Sequence, residues 1–221
     1  KIWLEKKKIL HVFIPHNDIK EVDLWLSEAV TLVDDKEWKD AISKIEVLLE
    51  LAEQINDFNK GVFVDGSPIK ITNTPFSYGV ACYPEKHEEA PNIEQDIYWL
   101  KKKVEAGAEY AVTQLFYDNR KYFDFVKKVR QAGINIPIIP GIKPFRKQSQ
   151  LTIIPKTFKV DIPQELALEA LKCKTEEDTE KLGVEWCIHQ CKELIEHGVP
   201  SIHFYSVGAV DSIKEVAKMI Y

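Results

Sequence analysis

Polar side chains with binding chemistry stand where apolar runs of this sequence end. Tyr83 closes the run SYGVACY, and His87 follows it in the next loop. Gln114 lies in a second run, EYAVTQLFY, where its amide can donate and accept hydrogen bonds at once. A buried amide of this kind must be satisfied, and a ligand is a good candidate. The placement predicts a ligand site at the ends of buried strands.

Two charged residues in the segment between these runs could serve the same site. Asp96 and Lys103 are seven positions apart, so a helix places both on one face. Taken alone, such charges are more typical of a solvated surface, and a loop histidine such as His87 is usually solvated too. The residue types by themselves leave both interpretations open.

The elements that must position these residues alternate between strands and helices. Each apolar run is followed by a helical stretch, and a glycine follows three of the helices, where a left-handed residue is expected. This repeat predicts parallel strands side by side, with ligands bound beyond their carboxyl ends. The predicted strands are 77–83, 110–116, 137–141 and 201–206; the helices are 93–106, 119–132, 163–171 and 177–197; the glycines are Gly107, Gly133 and Gly198.

The first quarter of the chain has a different pattern. Residues 1–56 contain no glycine and one proline, Pro15, which predicts helix throughout. Apolar stripes over 18–55 predict two helices joined as an antiparallel hairpin. We therefore predict a helical hairpin over 1–56 and an α/β domain over 57–221.

Composition narrows the classes of partner. The 221 residues carry a net charge of −5 with a pI near 5.8, which disfavours nucleic acid as a partner. No apolar run approaches the ~20 residues of a membrane span, and no signal peptide is visible, so we expect a cytoplasmic protein without membrane contact. The cysteines are expected to be free thiols rather than metal ligands, and no metal site is predicted: Cys82, Cys173, Cys187 and Cys191.

Four motifs in a fixed order resemble the methylenetetrahydrofolate reductase family. They are ACYPEKHEEAPN, QDIYWLKKKVEAGAEYAVTQLFYDN, IPIIPGIKP and GVPSIHFYSVG, within residues 54–221. The resemblance implies the carboxyl-terminal half of a (β/α)8 barrel, that is, a partial TIM-type barrel of four parallel strands preceded by the helical hairpin. It also implies FAD as cofactor, NAD(P)H as electron donor and 5,10-methylenetetrahydrofolate as the folate substrate, which becomes 5-methyltetrahydrofolate in one-carbon metabolism and methionine biosynthesis.

The resemblance also implies roles for individual residues. Gln114 falls on the family's pterin-binding glutamine. Six residues fall on its flavin-contacting motif: Tyr83, His87, Ala90, Asp96, Lys102 and Lys103. A flavin dinucleotide needs cations near its pyrophosphate and hydrogen-bonding groups near its ribityl chain, so these residue types suit it.

Several family features are missing from this chain. The family's first four strands, which supply its general-acid glutamate and an Arg-Gly-Asp motif, have no counterpart here. The motif cannot lie in residues 1–56, since these contain neither Arg nor Gly. The family's folate-stacking aromatic residue falls near Gln148, and a later arginine falls on Ala209. We therefore identify no catalytic residue and expect an incomplete flavoenzyme that is weakly active or inactive.

Alternatives remain at this stage. Four strands of an eight-stranded barrel leave open edges, which predicts pairing between copies of the chain. A truncated gene, a spliced product or an artificial join would each produce such a sequence. The second functional hypothesis is a non-catalytic remnant that acts as a binding module, and the motif order disfavours any other TIM-barrel enzyme. Residues 1–53 faintly resemble an uncharacterised family of bacterial helical domains, which implies no function.

Overall fold

The computed structural model describes residues 12–13, 50–63, 65–69, 76–206 and 208–221. The strands are β1 (Val12–Phe13), β2 (Ser77–Cys82), β3 (Tyr110–Thr113), β4 (Ile138–Ile139), β5 (Gly141–Ile142) and β6 (His203–Phe204). The helices are α1 (50–60), α2 (Ile93–Glu105), α3 (Asn119–Gln131), α4 (Gln150–Phe158), α5 (Gln164–Lys172), α6 (Glu176–Glu196) and α7 (Val210–Ile220).

The strands form a four-stranded sheet in the order β1-β2-β3-β4 and a two-stranded sheet of β5 and β6. Backbone hydrogen bonds link Glu109 N–H to the Tyr78 carbonyl at 3.0 Å and Gln114 N–H to the Cys82 carbonyl at 2.8 Å. The pairing advances in the same direction along β2 and β3, so these strands are parallel. Strands β5 and β6 are parallel as well. The predicted parallel α/β class is confirmed, whereas the partial barrel stays a prediction.

The third predicted strand, 137–141, is wrong as a single element. It divides into β4 and β5 at Pro140, which has no N–H to donate to a ladder. Strand β6 then pairs with β5, with Gly141 opposite His203, rather than extending the larger sheet. The four predicted strands therefore do not lie side by side in one sheet.

The prediction of helix throughout 1–56 is wrong at β1, which pairs antiparallel with β2. Val12 lies opposite Tyr78, and Phe13 lies opposite Ser77. Part of the β2 edge that we expected to be open is therefore paired. The predicted hairpin over 18–55 lies outside the described residues, except for 50–55, which are helical and belong to α1.

The predicted helix ends are confirmed. Asp118 is the N-cap of α3 and accepts a hydrogen bond from Arg120 N–H. Gly107, Gly133 and Gly198 all have positive φ, at 115°, 81° and 73°. Helices α4 and α7 were not predicted, and α4 contains Pro155, a residue that sequence rules place at helix ends.

The chain divides into two compact units, Lys1–Ala81 with Trp99–Ala111, and Cys82–Tyr98 with Val112–Tyr221. In the first unit, the Tyr78 hydroxyl and Asn56 Nδ2 donate to the Ala106 carbonyl at 2.7 and 3.1 Å. Both donors satisfy a carbonyl beside the end of α2 that the helix itself cannot pair. Burial, with a smaller contribution from Glu109, raises the pKa of Tyr78 to about 12.

The second unit has its own apolar core. The core is built from residues that follow β3 and β5 and from α4 and α5: Leu115, Tyr117, Phe145, Ile154, Val160, Leu166 and Ala170. Helix α6 packs closely here, since a Cβ on Gly183 would lie 1.6 Å from the Phe145 carbonyl oxygen. No helix in the described part of the chain is long and apolar enough to cross a membrane.

Candidate functional site

The loop after β2 brings two predicted site residues into contact. The rings of Tyr83 and His87 meet edge to face, with centroids 4.6 Å apart and planes at 75°. Both side chains are buried, at 5% and 3% exposure. His87 is therefore not a solvated loop residue.

A local hydrogen-bond network fixes the backbone of this loop. Asp96, in the first turn of α2, accepts a hydrogen bond from His87 N–H at 2.7 Å. Lys86 Nζ donates to the carbonyls of His87 at 3.0 Å and Ala90 at 2.5 Å. Ala90 N–H donates to the His87 carbonyl at 3.1 Å. Asp96 and Ala90 thus contribute to loop conformation through backbone contacts.

The protonation of His87 follows from its neighbours. Glu89 N–H donates to His87 Nδ1 at 3.2 Å, so Nδ1 is the unprotonated nitrogen of the ring. The proton of the neutral imidazole then lies on Nε2. The ring can offer that N–H to a hydrogen-bond acceptor.

The hydroxyl of Tyr83 is buried and has no hydrogen-bond partner among the described residues. Burial, followed by the charge of Asp96, raises its pKa well above the usual value. The hydroxyl therefore stays protonated and can act as both donor and acceptor. A buried polar group left unpaired in this way costs about 1–3 kcal/mol, which a ligand could recover.

Gln114 lies one residue beyond β3 and is tied to the end of β2 through its own N–H, which pairs with Cys82. The side chain is half-buried, and its Oε1 accepts from Leu115 N–H at 3.1 Å. Its Nε2 donates to no group in the part of the chain that the structure describes. The amide therefore keeps a donor for a ligand.

The two predicted lysines belong to the first unit, whereas the other five predicted site residues belong to the second. Lys102 forms an ion pair with Glu105 at 2.7 Å, on the half-exposed side of α2. Lys103 is buried, at 6% exposure. Tyr83, His87, Ala90, Asp96 and Gln114 therefore belong to the same unit, and direct contacts join the first four of them.

A second group of polar residues lies at the strand ends; sequence analysis placed Lys143 at a strand end but did not single out Tyr205 and His203. Tyr205 follows β6, and its hydroxyl donates to the Thr113 carbonyl at 2.7 Å. The rings of Tyr205 and His203 lie 4.8 Å apart, and Lys143 Nζ donates to the Tyr205 carbonyl at 3.5 Å. The sequence did contain a signal for these two residues: the histidine and tyrosine of the HFY motif lie in an apolar run, as Gln114 does.

An ion cluster in which only the Glu85 side chain is buried was also missed. The Glu85 carboxylate contacts Lys121 Nζ and accepts from Asp161 N–H at 3.0 Å, and Lys121 also contacts the Asp161 carboxylate. Burial lowers the pKa of Lys121, but its bonds to Asp161 and Glu85 outweigh that effect and raise it. Nothing in the sequence indicates that these three residues are in contact, because Glu85 is 36 positions and Asp161 is 40 positions from Lys121.

Two departures from the family pattern have structural roles here. Gln148 Nε2 donates to the carbonyls of Ala170 and Cys173 at 2.7 and 2.8 Å, at the end of α5. Ala209 is the N-cap of α7 and is 1% exposed. In the same helix α7, Ser212 donates a hydrogen bond to Glu180 at 2.5 Å, and Glu180 also forms an ion pair with Arg146 at 2.9 Å.

All four cysteines are free thiols, as predicted, and Cys173 is the one that is not fully buried. A hydrogen bond with Cys191, together with burial, raises the pKa of Cys187. Within the described ranges, no group of three or more His, Cys, Asp or Glu side chains is arranged to hold a metal ion.

The chain matches the methylenetetrahydrofolate reductase family over residues 31–221. It is 38% identical over 147 residues to a probable methylenetetrahydrofolate reductase (NADPH) of Caenorhabditis elegans, covering 66% of this chain and 22% of that protein. It is 36% identical over 137 residues to 5,10-methylenetetrahydrofolate reductase of Salmonella typhimurium, covering 62% and 46%. The chain thus spans between about a quarter and a half of the length of these curated relatives.

The family match begins inside the segment predicted to be a separate helical hairpin, and the domain boundary near residue 56 stays a prediction. Among solved structures, an uncharacterized protein from Clostridium thermocellum that binds two copies of 5-methyl-5,6,7,8-tetrahydrofolic acid is 21% identical, with a TM-score of 0.47. The likeness covers 64% of this chain and 51% of that one.

Proposed function

Because this chain belongs to the methylenetetrahydrofolate reductase family, we propose that it carries flavin- and folate-binding loops of a flavin-dependent methylenetetrahydrofolate reductase. When bound, FAD supplies the hydride chemistry between NAD(P)H and 5,10-methylenetetrahydrofolate. The chain's own residues bind, orient and shield the reacting groups. The observation that carries this proposal is the buried pair of Tyr83 and His87, held by Asp96 in the loop after β2.

The donor set of this loop fits a flavin. The buried Tyr83 hydroxyl lacks a protein partner among the described residues and can donate to or accept from a ribityl hydroxyl or a ring atom. His87 presents a neutral ring whose N–H is on Nε2, because Nδ1 accepts from Glu89. Asp96 keeps His87 in place through the loop backbone and so acts by orientation.

Ala90, Lys102 and Lys103 complete the proposed flavin-binding set. Ala90 keeps the loop closed through its hydrogen bond to the His87 carbonyl. Lys102 can exchange its half-exposed ion pair with Glu105 for a phosphate, because ion pairs at the surface stabilise the fold very little. Lys103 is a second cation on the same helix and can contribute a charge-assisted hydrogen bond to a phosphate.

Gln114 is the proposed folate contact. Its Nε2 is available to the edge of a pterin, and its Oε1 can accept from the same edge after releasing Leu115 N–H. An amide with both functions can select a ring that offers an acceptor next to a donor. The half-buried position keeps the group accessible to a ligand.

The flavin assignment predicts the behaviour of a double variant. We expect His87→Ala with Lys103→Ala to weaken FAD binding by about 1–3 kcal/mol, since two hydrogen-bonding groups, one of them charged, are lost. The measurement is quenching of flavin fluorescence on titration with protein. His189→Ala with Lys101→Ala is the matched control, because both residues are exposed, and it should bind like the wild type. Absence of FAD binding by the wild type, or equal affinity in both double variants, would contradict the proposal.

A single substitution separates folate binding from flavin binding. We expect Gln114→Ala to weaken binding of 5-methyltetrahydrofolate by about 1 kcal/mol or more while leaving FAD affinity unchanged. Gln131→Ala serves as the control, since that amide is exposed at the end of α3. Equal folate affinity for these two variants would remove Gln114 from the site.

A further inference from the structure

Two non-glycine residues have positive φ among the described residues, and their segments are joined to each other. Lys86 has φ 72° and Lys159 has φ 54°. Lys86 lies in the cofactor loop, which we define as residues 83–90, and Lys159 opens the latch turn, which we define as residues 159–161. Unfavourable backbone conformations of this kind persist where surrounding contacts determine them, and they cluster at functional sites.

Ionic contacts connect the cofactor loop to the latch turn at two points. Glu85 contacts Lys121 and accepts from Asp161 N–H at 3.0 Å, and Lys121 also contacts the Asp161 side chain. Glu88 forms an ion pair with Lys159 at 3.3 Å. The loop is therefore anchored on both sides of His87.

Glu85 is unusual for a purely stabilising ion pair. Its side chain is 8% exposed, and its Oε1 has no hydrogen-bond partner within the described part of the chain. Burial raises the pKa of Glu85, although its bonds to Lys121 and Asp161 partly oppose the shift. A buried carboxylate with one oxygen unsatisfied is expensive to maintain, and packed apolar residues would stabilise such a place at least as well.

The position of Lys121 supports the same conclusion. It lies in the first turn of α3, next to Arg120, and that turn contains no acidic residue. Cations are disfavoured there because the helix dipole places partial positive charge at its N-terminus. The contacts with Glu85 and Asp161 supply the reason for a lysine at this position.

We propose that Glu85 and Lys121 are positioning residues, which hold the cofactor loop in its ligand-binding conformation by fastening it to the latch turn. They act through the loop backbone, and so through the placement of Tyr83 and His87. A simple stabilising role would predict that their loss lowers global stability without a specific effect on the loop. The inference rests on the proposed function for the identity of the ligand, FAD.

The test compares Lys121→Met and Glu85→Gln with Lys128→Met in the full chain. Lys128 is a matched control because it lies on the same helix and pairs with Glu94 at a distance of 3.9 Å, with both partners exposed. Two quantities are measured: FAD affinity by fluorescence quenching, and hydrogen exchange at the amides of Lys86 and Ala90, which donate to Tyr83 and His87 carbonyls. We expect FAD binding about tenfold weaker or worse in the two test variants, equivalent to about 1.4 kcal/mol or more. Exchange of the two amides should become faster, while Lys128→Met matches the wild type.

Lys121→Arg is the conservative variant and should restore most of the affinity, because it keeps a cation with several donors. If Lys121→Met or Glu85→Gln fails to fold, Lys159→Ala removes the second anchor at a half-exposed position and should speed loop exchange on its own. Unchanged affinity and exchange in the folded test variants would overturn the proposal. If the wild type binds no FAD, the proposed function fails, and the exchange measurement alone decides whether the loop is fastened in this way.

Discussion

Two buried tyrosine hydroxyls in the second unit have opposite hydrogen-bonding situations. Tyr122 donates to the Ile138 carbonyl at 2.7 Å, whereas the Tyr117 hydroxyl has no partner among the described residues. We expect Tyr117→Phe to raise the free energy of unfolding by about 0.5–1 kcal/mol, because an unsatisfied polar atom leaves the core. Tyr122→Phe should lower it by about 1 kcal/mol. Urea denaturation measures both, and a loss of stability in Tyr117→Phe would indicate that the Tyr117 hydroxyl makes a stabilising hydrogen bond.

Glu85 should make stability depend on pH. Its pKa in the folded chain is raised from 4.5, chiefly by burial. The folded state therefore binds the proton more tightly than the unfolded state, and stability falls as pH rises through the folded pKa. We expect the wild type to lose stability relative to Glu85→Gln as the pH rises from about 4.5 through the raised pKa of the folded chain. Other titrating groups cancel in this difference, so a constant or opposite difference in denaturant unfolding would contradict the assignment.

At the scale of elements, the close packing of α6 can be tested by a substitution, because it predicts a loss of stability where a gain is usual. Gly→Ala inside a helix usually stabilises by about 0.5–1 kcal/mol. A Cβ on Gly183, however, would lie 1.6 Å from the Phe145 carbonyl oxygen. This oxygen belongs to the backbone, which moves less readily than a flexible side chain. We expect Gly183→Ala to destabilise the chain by about 3 kcal/mol, the upper range for overpacking.

Gly198→Ala is the control for that measurement. Gly198 has φ 73° and nothing within 4 Å of an added Cβ, so only backbone strain opposes the change. We expect it to cost about 1 kcal/mol, which is the scale of a left-handed conformation in a non-glycine residue. Similar losses in the two variants would mean that α6 can move away from Phe145.

At the scale of the whole molecule, we expect this chain, tested alone, not to turn over 5,10-methylenetetrahydrofolate at ordinary enzyme rates. This prediction rests on the family resemblance, by which a general-acid glutamate and an Arg-Gly-Asp motif have no counterpart in residues 1–221 and a family arginine falls on Ala209. A positioned acid typically contributes ~10²–10⁴-fold, and a charge that stabilises the transition state ~10²–10³-fold. These factors need not multiply, because groups that act together are not additive.

The measurement is anaerobic mixing of the chain with FAD and NADH, followed by addition of the folate. Flavin absorbance and 5-methyltetrahydrofolate formation are recorded. Product formation at about 1–10 s⁻¹ would contradict the expectation. Flavin binding without turnover would agree with both the expectation and the proposed role of the cofactor loop.

The sequence by itself determined the features that depend on neighbouring residues. Gly107, Gly133 and Gly198 marked helix ends because glycine enters positive φ without steric cost. Asp118 marked the start of α3 because its short carboxylate reaches the unpaired N–H groups of the first turn. The apolar runs predicted buried parallel strands, and the ordered motifs predicted the family and placed Tyr83, His87 and Gln114 at strand ends.

Tertiary structure alone decided the contacts between distant residues. Pro140 interrupts a run that is apolar throughout, and the pairing of β5 with β6 depends on how far that interruption turns the chain. The cluster of Glu85, Lys121 and Asp161 joins three separate segments of the chain. In the sequence, each segment has the pattern of an ordinary charged loop or helix surface. Hydrophobic periodicity and capping act over a few residues, whereas the burial and pairing of a charge depend on the folded chain around it.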